Sequence, residues 1–61
     1  MTTAQYRAIA EELAANLMWE EAANFLEKAI EAYPSKGALA DLDKSRMKAK
    51  VIGWRAMITS P

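Results

Sequence analysis

Two pairs of adjacent carboxylates, Glu11-Glu12 and Glu20-Glu21, and the basic stretch Lys44-Ser45-Arg46-Met47-Lys48-Ala49-Lys50 hold half of the charged residues in this 61-residue chain. Paired carboxylates could divide acid and base roles if both reached one reacting atom. Neighbours on a helix point about 100° apart, so neither pair converges, and both read as solvated helix-face charges. The chain contains no His and no Cys, which leaves no side chain to activate a hydroxyl or thiol nucleophile. Carboxylates and amides alone could ligate a metal, and no spacing of Asp, Asn and Gly resembles a calcium loop. Gly37 and Gly53 stand apart from each other, so no glycine-rich loop exists to cradle a phosphate. The expectation is a non-enzymatic protein with no catalytic residue, no cofactor and no metal.

The basic stretch has a chemistry of its own. Lys44, Arg46, Lys48 and Lys50, with Arg55 further on, could contact phosphates of a nucleic acid. Against this stands a formal net charge of zero, since non-specific affinity for nucleic acid depends on neutralising phosphates. The zero hides a division: residues 1–34 sum to −4 and residues 35–61 to +4. Such a split fits docking of the two halves within one chain, and also fits head-to-tail association or an anionic partner. A solvated basic helix flank, offset by Asp41 and Asp43, is the simpler reading of the stretch.

These groups must be positioned by helices. Alanine is abundant, Leu, Glu, Lys and Met accompany it, and only two Gly and two Pro interrupt the chain, a composition that favours close-packed helices. The spacing predicts helix 1 over about 3–15, opened by a Thr2–Gln5 capping box and closed at Asn16 as the left-handed position. Its apolar face is Tyr6, Ile9, Ala10, Leu13 and Leu17, with Arg7 and Glu11 on the remaining surface. Helix 2, about 18–32, turns Trp19, Ala22, Ala23, Leu26, Ala29, Ile30 and Tyr33 to one side and stops before Pro34. Helix 3, about 36–58, has Ser35 as its N-cap, and the tail 59–61 frays. The fold class expected is all-α: three helices in one domain, an antiparallel hairpin plus a long third helix.

Helix 3 carries two apolar stripes. Leu39, Leu42, Ala49, Gly53 and Ala56 form one; Met47, Val51, Trp54 and Ile58 form the other, with Met57 nearer the first. Together they cover more circumference than docking on one hairpin needs, and an exposed apolar stripe marks an interface. A chain this short is marginal without help, and with disulfides excluded the remaining help is a partner chain. The expected interface residues are Met47, Val51, Trp54, Met57 and Ile58, and the expected assembly is a homodimer.

The string Trp19-Glu20-Glu21-Ala22-Ala23-Asn24-Phe25-Leu26-Glu27-Lys28-Ala29-Ile30, running on to Pro34 and preceded by Tyr6, Ile9, Ala10 and Leu13, resembles a single tetratricopeptide-type hairpin. The resemblance spans residues 3–34, about half of the chain, and implies a protein-interaction role, with helix 3 in the place of the next repeat or capping helix. That family has glycine at the inter-helix turn, where this chain has Asn16-Leu17. Trp19 followed by Ala22-Ala23 is also similar to short bacterial regulators of the PerC and ANR types, which implies regulation of gene expression through protein contacts. Their carboxy-terminal Trp/Arg/Cys signature is not restored by Gly53-Trp54-Arg55. No apolar run reaches the roughly 20 residues of a membrane span, and no basic-then-apolar leader opens the chain, so a cytoplasmic location is expected. The functional expectation is an interaction adaptor or regulator that self-associates through helix 3. The alternatives are a nucleic-acid-binding regulator using the basic side of helix 3, and a small inhibitor or chaperone of one larger protein.

Overall fold

A computed structural model describes residues 1–59. It contains three α-helices, α1 (Thr3–Ala15), α2 (Trp19–Glu31) and α3 (Ala38–Thr59). Each packs antiparallel to its sequence neighbour. α2 lies in the middle: α1 and α3 both pack on it, while the backbones of α1 and α3 hardly meet. The fraying expected at Ser60 and Pro61 lies outside the described residues; Thr59 is still helical.

Local signals account for most helix ends. The capping box is present, with Thr2 Oγ1 accepting from the Gln5 backbone N–H at 3.2 Å and Gln5 Oε1 accepting from the Thr2 N–H at 2.8 Å. The stop of α1 differs from expectation by one residue. Asn16 keeps φ at −95°, and Leu17 takes the left-handed conformation at φ 62°. The Met18 N–H donates to the Leu13 carbonyl at 2.9 Å and the Leu17 N–H to the Ala14 carbonyl at 3.0 Å. This is the hydrogen-bond pair of a Schellman stop, built on leucine where glycine is the usual occupant. Asn16 serves by side chain instead, its Nδ2 donating to the Glu12 carbonyl at 2.9 Å.

The expected Ser35 cap is not used. α3 begins at Ala38, and Gly37 supplies the first helical carbonyl, accepting from the Asp41 N–H at 2.9 Å. Gly37 sits at φ 115°, a conformation open to glycine and strained for other residues. The chain therefore needs Pro34–Gly37 as a connector before it can turn back along α2.

The core is built from small residues at the crossings and a few large ones between them. Ala10, Ala23, Leu26, Ala29, Met47 and Val51 form it, with Tyr6, Phe25, Ile30, Tyr33 and Trp54 half-buried around it. The alanines bring the helix axes close, and among the described residues only Leu26 and Met47 are large and fully buried. One buried polar group completes the packing. Thr3 Oγ1 donates to the Ala29 carbonyl at 3.0 Å, satisfying a carbonyl in the last turn of α2 that has no partner within the helix.

Candidate functional site, the two faces of the third helix

α3 docks on the hairpin through the stripe expected to face a partner. Met47 is 1% exposed and Val51 5%, and Trp54 is half-buried against the same cluster. These three are core residues, a correction to the expected interface set. The physical reason is fit: the alanine-rich crossing on α2 leaves hollows that a methionine, a valine and an indole fill, whereas Leu42, Ala49 and Ile52 lie on the opposite arc. Met57 and Ile58 remain exposed, at 52% and 45%.

The opposite face is left to solvent. Ile52 is 70% exposed and Leu42 52%, and Ser45, Ala49, Gly53 and Ala56 on the same arc are exposed as well; Leu39, 84% exposed, lies outside this arc in the first turn of α3. No charged residue falls among Leu42, Ser45, Ala49, Ile52, Gly53 and Ala56; Asp41, Arg46, Lys48 and Arg55 stand at its edges.

The charge division is resolved largely within the chain. Lys50 pairs with Glu11 of α1, and Arg55 pairs with Glu27 of α2 while also donating to Asn24 Oδ1 at 3.3 Å. Arg7, expected on open surface, reaches across to Asp43 of α3, with Nη1 at 3.0 Å from Oδ2 and Nη2 at 3.4 Å from Oδ1. The Tyr33 hydroxyl donates to the same carboxylate at 2.7 Å. Asp43 thus joins side chains from α1, the end of α2 and α3. These hydrogen bonds, the one from Tyr33 foremost and those from Arg7 after it, hold the Asp43 carboxyl below its ordinary value. The same bond, with the negative charge it faces, pushes the Tyr33 hydroxyl up. The Arg55 guanidinium is raised by its bond to Glu27.

Of the five residues considered for phosphate contact, Lys50 and Arg55 are therefore engaged by acidic partners. Lys44 lies 3.8 Å from Asp41 and 5.9 Å from the centre of the Tyr33 ring, within cation–π range. Lys50 stands 5.8 Å from the Trp54 ring. Arg46 and Lys48 are exposed. The five do not form one continuous basic surface.

The concavities hold no reactive constellation. One, about 780 Å³, opens between the start of α1 and the Tyr33–Ser35 connector, and its Arg7 and Asp43 side chains already satisfy one another. A second, about 370 Å³, lies between α2 and α3 with Ile30, Val51 and Ile52 inside and Glu27, Lys48 and Arg55 at its rim. Among the described residues no group of three or more His, Cys, Asp or Glu is placed to hold a metal ion, and no helix is long and apolar enough to cross a membrane. Sequence reasoning missed Thr3 and the Arg7–Asp43–Tyr33 cluster, whose partners lie 10 to 36 residues apart; no local pattern announces such pairings. No protein-family model, curated protein or solved structure matches the chain.

Proposed function

We propose that this protein is a non-enzymatic interaction module, an adaptor or regulator, that self-associates through the outward face of α3. The observation that carries this reading is the exposure of Leu42 and Ile52 on a helix whose other face is already committed to the core. A core in which five of the eight buried apolar residues are alanine supports it, because so little large apolar surface is buried within one chain. The likeness of the α1–α2 hairpin to a tetratricopeptide repeat agrees with a binding role. Sedimentation velocity over a range of concentrations tests it: the expected result is a species of twice the chain mass that dissociates on Ile52→Asp. A folded species that stays monomeric at high concentration refutes it. The nucleic-acid reading finds less support, since Lys50 and Arg55 face carboxylates.

A further inference from the structure

The outward face of α3 has a period that specifies more than stickiness. Ala38, Leu42, Ser45, Ala49, Ile52 and Ala56 follow one another at alternating steps of four and three residues, and all six are exposed. That is the alternation of a two-stranded coiled-coil seam, with Leu42, Ala49 and Ala56 at one set of core positions and Ala38, Ser45 and Ile52 at the other. The hairpin packs on the opposite arc through Met47 and Val51, and of the seam residues Ile52 also borders the groove against Ile30 and Glu31 of α2.

The residues flanking a seam set partner and direction. Asp41, Lys48 and Arg55 precede seam residues on one edge; Arg46 follows one on the other edge. In a parallel pair, a residue on the first edge faces the residue five positions later on the second edge of its partner, which sets Asp41 of each copy against Arg46 of the other. Both are available: Arg46 is exposed, and the Asp41 side chain is 72% exposed with Lys44 3.8 Å away. An antiparallel pair overlapping the whole seam places Arg46 against Arg46 and Lys48 against Lys48, and its Asp41–Arg55 contacts would have to draw Arg55 away from Glu27.

We infer that the partner on this face is a second copy of the chain, its α3 parallel and in register with the first, held by the Leu42–Ala49–Ile52 seam and flanked by two reciprocal Asp41–Arg46 ion pairs. This rests on the self-association proposed above and adds its direction and register. The small residues at positions 45, 49 and 56 let the two helices approach closely. The contact spans about 27 Å, one copy of the 38–56 segment at 1.5 Å per residue, which puts the interface at the small, weak end of the known range. Association is accordingly expected at micromolar concentrations and above.

The absence of cysteine makes cross-linking a clean test. Ser45→Cys and Ala49→Cys are each oxidised in separate samples, alongside an Ala38→Cys and Ala56→Cys mixture and the exposed control Lys28→Cys. Circular dichroism of each variant checks the fold. The expected result is that Ser45→Cys and Ala49→Cys each form covalent dimers, while the Ala38/Ala56 mixture gives none joining one variant to the other. Asp41→Arg weakens association about fivefold, and Asp41→Arg with Arg46→Asp restores it. Heterodimers from the Ala38/Ala56 mixture, or dimers that no seam cysteine traps, overturn the parallel arrangement and leave self-association standing. A wholly monomeric chain overturns both.

Discussion

Truncating Met47 to alanine tests which face of α3 is docked. The side chain is 1% exposed and is one of two large residues fully enclosed in the core. Burying a methionine side chain contributes about 1.5–3 kcal/mol through apolar area alone. The hollow left by partial relaxation adds to this, so Met→Ala at an enclosed site costs roughly 2–5 kcal/mol. The whole stability of a chain of 61 residues is of order 3–9 kcal/mol at about 0.05–0.15 kcal/mol per residue. Met47→Ala therefore removes about a fifth or more of it, and with about 4–8 °C of Tm per kcal/mol for so small a domain the melting point falls by at least about 8 °C. Urea unfolding followed by circular dichroism, at a concentration where the chain is monomeric, measures the change. Ile52→Ala, 70% exposed on the opposite arc, is the internal comparison and is expected to shift stability by no more than about 0.5 kcal/mol. A neutral Met47→Ala beside a destabilising Ile52→Ala would falsify the docking of α3 through Met47 and Val51.

Thr3→Val removes the hydroxyl that meets the Ala29 carbonyl and leaves a buried acceptor unpaired, at a cost of about 1–3 kcal/mol; chemical denaturation reads it. Gly53→Ala is expected to stabilise the monomer by about 1 kcal/mol, because an added Cβ meets nothing within 4 Å; thermal melting at low concentration measures the gain. The Arg7–Asp43–Tyr33 cluster makes stability fall at both ends of the pH scale. Asp43 has a depressed folded pKa, so its contribution is complete above the ordinary carboxylate pKa and is lost as pH drops through the lower folded value. Tyr33 has a raised folded pKa, so its contribution is complete below the ordinary phenol value and disappears as pH rises through the folded one. Asp43→Asn flattens the acid limb, and tyrosinate absorbance in a Tyr6→Phe background follows the alkaline one.

Helix existence, number and order were legible because each rests on local chemistry. Thr2 and Gln5 sit three apart as a capping box must, and Pro34 forbids continuation of α2. The docked face of α3 was not legible, for a specific reason. Apolar residues occur on both sides of that helix, so periodicity alone offers two answers, and the choice is made by the hollows around Ala23 and Ala29 on another element. Leu17 reads as part of the apolar face of helix 1 because nothing marks a leucine for a left-handed turn; the flanking hydrogen bonds of the Schellman stop impose that turn and leave its side chain 70% exposed. Arg7 and Glu11 looked like solvent-facing charges because their partners Asp43 and Lys50 arrive only when α3 folds back.

The central position of α2 bears on how the chain acquires its structure. Each helix packs mainly on the one adjacent in sequence, so the mean sequence separation of contacts is low and folding is expected on the microsecond-to-millisecond scale. Yet α1 and α2 alone enclose little besides alanines and Leu26, and the two hydrophobic plugs that close the core, Met47 and Val51, are encoded in the last third of the sequence. The hairpin alone is therefore an incomplete nucleus, and the cooperative transition requires the middle of α3.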